Sequence, residues 1–238
     1  MAHAPNLLFI LSDEHTREIC GCYGHPQIRT PNIDGLAAAG TVFENAYTPC
    51  PICIPARGSL NTGRYVHENG YWDNGLPYDG RIPGWNHELR SRGHRVDSIG
   101  KLHFKGQGTD HGFTTEIDPL HVVDGIGDVL SCIRDDPPHR HKRRGILEAG
   151  PGHSTYLDYD VSNADRACQW LGTHRDEQKP WALFVGFVLP HPPYLAPHED
   201  FSVYPPETIN LLPQTAPSEW PDPPTIDYIR RFFDYDDP

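Results

Sequence analysis

Short, uninterrupted apolar runs alternate along this chain with longer segments whose apolar residues recur at helical spacing. Residues 6–12 and 181–189 are such runs, and their lack of alternation predicts strands buried on both faces of a parallel sheet. Residues 95–99 predict a further strand. Because helices and strands alternate, the sequence predicts an α/β fold with a mostly parallel central sheet flanked by helices.

Helix signals separate these strands. A helix is predicted at residues 32–39, between an Asn N-cap and a stopping Gly, and another at 85–92, again before a Gly. A longer helix is predicted at 158–171 and a short one at 225–233. The predicted core-facing positions of the longer helix are Val161, Ala164, Ala167, Cys168 and Leu171.

Charged and polar residues gather where the predicted strands end. They are Asp13 and Glu14 after the first strand, Lys101 and His103 after the second, and His191 after the third. The carboxyl ends of parallel strands meet at one edge of a sheet, which is where ligands bind in α/β folds. The sequence therefore predicts that these residues converge on one site.

A helix N-terminus is predicted at Cys53. Pro55 suits the first turn of a helix, since it lacks an N–H that would have no partner there, and Gly63 suits the helix end. Free backbone N–H groups and the helix dipole favour an anion beside Cys53. Arg57, one turn further on, can direct its guanidinium to the same place and bind a tetrahedral oxyanion. A buried structural cysteine before a helix is the alternative.

Composition limits the partners. The chain has 238 residues, 37% of them hydrophobic and 22% charged, with 22 Gly and 25 Pro, as expected of one sizeable core with many turns and long loops. Its formal net charge of −12 argues against nucleic acid or an anionic membrane as the main partner. Residues 7–11 are too short to span a membrane and lack the flanks of a signal peptide, so we expect a cytoplasmic protein.

The cysteines do not form a recognisable disulfide pattern. They are too few and too irregularly spaced: Cys20, Cys22, Cys50, Cys53, Cys132 and Cys168. The pairs Cys20 with Cys22 and Cys50 with Cys53 leave a zinc or redox site as an alternative. Only one residue separates the first pair, which makes that alternative weak.

The motifs around Cys53 and the strand ends resemble those of the formylglycine-dependent sulfatases, in the alkaline phosphatase superfamily. The matching motifs are Cys-x-Pro-x-Arg at 53–57, Gly-Lys-x-His at 100–103 and a His-Pro turn within 190–194. Segments at 21–24, 30–37 and 43–47 also match the amino-terminal pattern, and the resemblance runs from residue 6 to about 195. With residues 111–113, the pattern is most similar to choline-sulfatase-type bacterial sulfatases.

The resemblance implies an enzyme that hydrolyses a small-molecule sulfate ester. In this family a formylglycine-generating enzyme oxidises the motif cysteine to an aldehyde, and the aldehyde hydrate attacks sulfur. The implied roles are Cys53 as precursor of the nucleophile, Arg57 and Lys101 as sulfate-binding cations, His191 as acid for the leaving oxygen and His103 as the base that restores the aldehyde.

The resemblance also implies one divalent cation, Ca²⁺. Asp13, Glu14 and the modified Cys53 are the implied ligands, because hard carboxylate oxygens suit this ion. Glu14 stands where the family usually carries a second Asp. The other half of the family's metal site, a later Asp-Asn or Asp-His pair, has no counterpart in the sequence after His191. Residues 234–237 carry carboxylates but follow a proline-rich stretch, not an apolar strand.

Family members are typically much longer than this chain. The resemblance therefore implies that residues 1–238 are an incomplete amino-terminal catalytic domain, a fragment or truncated product, with a proline-rich irregular region at 190–238. A phosphonate or phosphate ester hydrolase of the same superfamily and an inactive anion-binding module are the alternatives. Tyr71, Trp72 and Tyr78 either line a pocket for a choline-like cation or pack within the fold.

Overall fold

A computed structural model of the chain describes residues 4–106, 108–125, 127, 147–209 and 224–232. The strands are β1 (Leu7–Leu11), β2 (Arg95–Lys101), β3 (Thr115–Leu120), β4 (Gly150–Pro151), β5 (Trp181–Gly186) and β6 (Leu195–Ala196). The helices are α1 (Pro31–Ala39), α2 (Cys53–Thr62), α3 (Val66–Asn69), α4 (Trp85–Ser91), α5 (Thr155–His174), α6 (His198–Phe201) and α7 (Pro224–Phe232). Short 3₁₀ turns occupy Arg17–Ile19, Gly21–Tyr23, Val123–Gly125 and Pro206–Thr208.

The chain divides into two compact units. The first unit comprises Met1–Asp13, Tyr47–Leu130 and Thr155–Leu189, and the second comprises Glu14–Ala46, Ser131–Ser154 and Pro190–Pro238. The first unit holds a sheet in the order β1-β5-β2-β3, in which every neighbouring pair is parallel. The predicted α/β fold with a mostly parallel central sheet and flanking helices is confirmed.

The sheet of the first unit is packed on both faces. Successive side chains of a strand point to opposite faces, and β5 shows this alternation. Ala182 and Phe184 belong to one apolar cluster with Tyr78 and other aromatic residues, and Trp85 and Leu89 of α4 pack against it. The residues of the opposite cluster are Ile99, Ala167, Trp170, Trp181, Leu183 and Val185, of which Ala167 and Trp170 come from α5. Helices therefore cover both faces of the sheet.

The prediction that the first strand is buried on both faces is wrong. β1 is parallel, as expected, but Leu7 is 44% exposed, Leu8 42% and Ile10 54%. Among the described strands β1 pairs with β5 alone, so it forms an edge of the sheet. An apolar run indicates that a strand is suited to burial. It does not indicate which other elements of the fold will cover that strand.

The predicted core-facing positions of the long helix are also wrong in part. Val161 is 54% exposed and Cys168 is exposed, whereas the buried positions of α5 are Asp160, Asn163, Ala167 and Trp170. These positions have the spacing of one helical face. The core-facing stripe therefore begins at polar residues, which a search for apolar periodicity cannot recognise.

The second unit contains the parallel pair β4 and β6 with α1, α6 and α7. The Asp34 carboxylate accepts a hydrogen bond from the Cys22 backbone N–H at 2.7 Å, and the Tyr204 hydroxyl accepts one from the Arg29 backbone N–H at 3.0 Å. The predicted short helix near 225–233 is present as α7. Residues 234–237, considered above as carboxylate donors, and Cys132 lie outside the described residues. None of the described helices has the length and apolarity needed to cross a bilayer.

Candidate active site

Cys53 is the first residue of α2, as predicted. Ile52 before it is extended, with φ −129° and ψ 139°, and Pro55 lies in the first turn of the helix. The side-chain oxygen of Asn74 accepts a hydrogen bond from the Ile54 backbone N–H at 3.0 Å, which satisfies one of the free donors of the helix start. At the other end Gly63 takes a left-handed conformation, φ 65°, and stops the helix.

Four residues from three elements meet at this helix N-terminus, and we call them the Cys53 cluster: Asp13, Cys53, Arg57 and Lys101. Asp13 follows β1 and Lys101 ends β2, so both lie at the carboxyl edge of the sheet. The Lys101 ammonium contacts Oδ2 of Asp13, and the Arg57 guanidinium lies 3.3 Å from the same oxygen. The Cys53 sulfur is 4.0 Å from Oδ1 of Asp13.

The Cys53 cluster is a buried site with an excess of positive charge. Asp13 is 9% exposed, Arg57 5% and Lys101 3%. Two cations share one carboxylate, although the chain as a whole has a formal net charge of −12. Charge-assisted hydrogen bonds of this kind hold side chains in fixed positions. The cluster therefore presents two preorganised cations at the start of a helix, a place that itself favours anions.

The Cys53 thiol is disfavoured as a thiolate. Burial raises its pKa above the ordinary value of 9.0, and the negative charge of Asp13 raises it further. The positive charges of Lys101 and Arg57 act in the opposite direction without cancelling the rise. A cysteine nucleophile works as the thiolate, so Cys53 is poorly suited to thiol chemistry at neutral pH.

Asp160 is a residue of this region that the sequence did not reveal. Its carboxylate accepts hydrogen bonds from the backbone N–H groups of Val188, at 2.9 and 3.0 Å, and of Leu189, at 2.7 Å. Burial raises the pKa of Asp160 above its ordinary value. The hydrogen bonds from Val188 and Leu189 and the charge of Lys101 reduce this rise without cancelling it. Asp160 therefore fixes the backbone that follows β5. An Asp inside a helix is usually solvated, and no sequence signal distinguishes this one.

Three of the predicted site residues need separate comment. His103 has a left-handed backbone, φ 58°, and its N–H donates to the Leu120 carbonyl at 2.7 Å. The extended backbone of β2 therefore does not continue to His103, and the role of His103 stays a prediction. Glu14 and His191 belong to the second unit, where Nδ1 of His191 lies 2.8 Å from the Pro192 carbonyl oxygen. The roles of these two residues stay predictions.

The aromatic residues considered for a choline-like pocket mostly pack within the fold. Tyr71 is 1% exposed and Tyr78 0%, with their rings 5.5 Å apart, while Trp72 is 54% exposed. The Tyr71 hydroxyl donates to Asp79 at 2.9 Å. Both rings belong to the packed apolar cluster of the first unit, which agrees with the packing alternative for Tyr71 and Tyr78.

The cysteine pairs do not form a metal cluster in the described part of the chain. Cys20 and Cys22 belong to the second unit and Cys50 and Cys53 to the first. All five cysteines of the described residues are free thiols. Within that part of the chain, the group of side chains with metal-ligand geometry is His111, Glu116 and His121, which contains no cysteine.

The donor set for the implied divalent cation fits in kind but is incomplete. Asp13 offers the hard oxygens that Ca²⁺ prefers, but its Oδ2 is already paired with two cations. Both oxygens of the neighbouring Asp160 accept backbone hydrogen bonds. Ca²⁺ usually takes six to eight oxygen ligands, and the carboxylate oxygens of the described cluster are far fewer than that. The described residues therefore do not by themselves complete a Ca²⁺ site.

The sequence of this chain has counterparts among known proteins. A family model described as Sulfatase matches residues 5–215. The choline-sulfatase of Rhizobium meliloti is 30% identical over 215 residues, covering 84% of this chain and 41% of that protein. The N-acetylglucosamine-6-O-sulfatase of Bacteroides thetaiotaomicron is 31% identical over 192 residues, covering 79% of this chain and 31% of that protein. The chain thus spans less than half the length of these relatives.

A solved structure with the same fold is the phosphonate monoester hydrolase of Agrobacterium radiobacter. Its TM-score to this chain is 0.63 at 23% identity, and the match covers 86% of this chain and 44% of that chain. At this level of identity the likeness concerns the fold alone. It agrees with the parallel sheet and flanking helices described above.

Proposed function

Because the chain belongs to the sulfatase family, we propose that it carries the nucleophile of a sulfate ester hydrolase and that Cys53 is converted to formylglycine. The observation that supports this most is the Cys53 cluster, which combines a helix N-terminus with two buried cations. A hydrated aldehyde at this position supplies an oxygen nucleophile. The raised pKa of the unmodified thiol agrees with a cysteine that serves as a precursor.

Arg57 and Lys101 are the proposed sulfate-binding residues. Their positions are fixed before substrate arrives, because both contact Asp13 and because Arg57 donates to the Lys101 carbonyl at 2.8 Å. Donors held in place cost little reorganisation when negative charge develops on the sulfate oxygens. The negative charge of Asp13 offsets the repulsion between Arg57 and Lys101, so both cations can lie close together in the site.

Proton transfer is assigned to the two histidines as proposals. His191 is the proposed acid for the departing alcohol oxygen, and His103 the proposed base that restores the aldehyde. Asp160 fixes the backbone of Val188 and Leu189, the last residues of the first unit. Asp13, Glu14 and the modified Cys53 are the proposed protein ligands of a Ca²⁺ ion, as the resemblance implies.

The proposed substrate class is a small-molecule sulfate ester, and a formylglycine-generating enzyme is the proposed maturation partner. The test coexpresses that enzyme with residues 1–238, and with any longer product of the same gene, and compares turnover of an aryl sulfate and an aryl phosphate. A Cys53→Ala variant is the control. Preferred turnover of the sulfate supports the proposal, and preferred turnover of the phosphate replaces it with a phosphoester hydrolase. Binding of inorganic sulfate without any turnover in every form would indicate an anion-binding module.

A further inference from the structure

A second cluster of side chains lies in the first unit, around β3. Nδ1 of His111 is 2.9 Å from one carboxylate oxygen of Glu116, and Nε2 of His121 is 3.0 Å from the other. The three potential ligand atoms all lie within 4.8 Å of one another. His111 is 3% exposed, and the side chains of Glu116 and His121 are 22% and 16% exposed. The cluster is therefore compact and largely shielded from solvent.

An irregularity in β3 brings these residues together. Glu116 and His121 are five positions apart, so in a regular strand they would point to opposite faces. The register between β2 and β3 shifts here: Ile99 pairs with Ile117, but Lys101 pairs with Leu120. β3 therefore has one more residue than β2 over this stretch, as in a β-bulge. Asp118, within the stretch, has a left-handed backbone with φ 49°. The bulge shifts the alternation of side chains by one residue, so the side chains of Glu116 and His121 lie on the same side of the strand.

The hydrogen bonds of Thr109 indicate which ring nitrogen of His111 carries a proton, and they favour Nδ1 of His111 as a metal ligand. The Thr109 hydroxyl lies 2.9 Å from the Lys105 carbonyl, 2.8 Å from the Gly106 carbonyl and 2.8 Å from Nε2 of His111. A hydroxyl has one proton, and a carbonyl can only accept. If that proton goes to a carbonyl, Nε2 of His111 must donate to the hydroxyl oxygen. Neutral His111 then has a bare Nδ1 facing Glu116.

A bare Nδ1 next to a carboxylate is repulsive unless a cation lies between them. The two imidazole nitrogens lie 2.9 and 3.0 Å from the two oxygens of the Glu116 carboxylate, so a metal ion held by all three side chains would supply that cation. Metal-bound histidines characteristically donate their other N–H to a neighbouring acceptor, as Nε2 does here to Thr109.

We propose that His111, Glu116 and His121 bind a divalent transition metal, with Zn²⁺ as the best match. Two imidazoles and one carboxylate are a donor set that suits this ion and leaves a fourth position for water. The site is separate from the Cys53 cluster and independent of the proposed hydrolysis. It lies on the strand that anchors the segment after Lys101, since His103 donates to the Leu120 carbonyl and Val122 to the Phe104 carbonyl. The bound metal would brace that segment.

The experiment titrates chelator-stripped chain, residues 1–238, with Zn²⁺ alone and measures affinity by calorimetry and bound metal by mass spectrometry. We expect one zinc per chain, at least about 100-fold weaker binding in Glu116→Gln and roughly 10–100-fold weaker binding in Thr109→Val. His67→Gln, which changes an exposed histidine elsewhere, should bind as the unmodified chain does. Asp13→Asn tests whether zinc goes to the Cys53 cluster instead.

X-ray absorption of the zinc-loaded unmodified chain gives an answer even where a variant fails to fold. A shell with two imidazole nitrogens supports the proposal, and a shell of oxygens alone overturns it. Failure of the unmodified chain to retain zinc, or loss of zinc in Asp13→Asn but not in Glu116→Gln, also overturns it. None of these readouts involves turnover, so they are unaffected by the fate of the proposed hydrolysis.

Discussion

The guanidinium of Arg57 donates a hydrogen bond of 2.8 Å to the backbone oxygen of Lys101. This bond joins the second turn of α2 to the last residue of β2. Both side chains also contact one carboxylate oxygen, on Asp13. A helix residue and a strand residue are thus held at one point, and the position of each cation depends on the other.

Replacing Arg57 by Ala should therefore impair sulfate ester turnover much more than replacing Arg64. The loss of one preorganised donor to a developing oxyanion costs about 10²–10³-fold in rate. Arg64 lies beyond the end of α2 at Gly63 and is exposed, so Arg64→Ala is a matched control. The measurement is kcat/KM for an aryl sulfate in a formylglycine-bearing form that turns over. Small and equal effects of the two changes would remove Arg57 from the proposed site.

Replacing Asp13 by Asn should destabilise the fold. The change leaves Lys101 and Arg57 buried without their shared counter-charge, and breaking a buried ion pair in this way costs about 3–5 kcal/mol. Glu88→Gln, which breaks an exposed pair with Arg92, should cost less than about 1 kcal/mol. Urea unfolding of both variants measures the difference. A cost for Asp13→Asn as small as that of the control would mean that the cluster is not held by its charges.

The unmodified Cys53 thiol should react slowly with iodoacetamide at neutral pH. Burial and the charge of Asp13 raise its pKa above 9.0, so the thiolate fraction is lower than that of an ordinary cysteine and increases as the pH rises. Asp13→Asn removes one cause of the rise and should speed alkylation of Cys53. Exposed Cys168 is the internal reference for the reagent. Alkylation of Cys53 as fast as Cys168 at pH 7 would contradict the electrostatic account.

Gly100 should not tolerate a side chain. It lies in β2 with φ +84°, and a Cβ there would approach the Gly186 carbonyl oxygen to 2.3 Å. The left-handed conformation alone costs a larger residue about 1–3 kcal/mol, and the clash adds to that. Gly172→Ala, in open space on α5, should instead stabilise the helix by up to about 1 kcal/mol. Thermal unfolding compares the two, and an equally stable Gly100→Ala would show that the strands can separate next to Lys101.

Features set by local chemistry were predictable from the sequence. Pro55 and Gly63 define the ends of α2 through their backbone restrictions alone, and both positions are confirmed. The proximity of Asp13 and Lys101 follows from one rule of parallel sheets, that strand ends share an edge, whereas Arg57 is predicted from its place one helical turn after Cys53.

Features set by packing or by backbone exceptions were not predictable. The exposure of β1 depends on what lies beside it, and the buried face of α5 begins at Asp160 because backbone N–H groups after β5 need an acceptor. The left-handed backbone of His103, two residues after the end of β2, has no signal in the sequence. The triad of His111, Glu116 and His121 requires a bulge at Asp118, and spacing alone would have separated its members.

The most direct test of the central claim is peptide mass spectrometry of residues 50–57 after coexpression with a formylglycine-generating enzyme. Cys53 has the Pro and Arg of the motif at the required spacing, whereas Cys50 has Ile at both of the corresponding positions and serves as a control in the same peptide. The account predicts an aldehyde at Cys53 and an unchanged thiol at Cys50. Two unmodified thiols under those conditions would contradict the assignment of Cys53 as the precursor of the nucleophile.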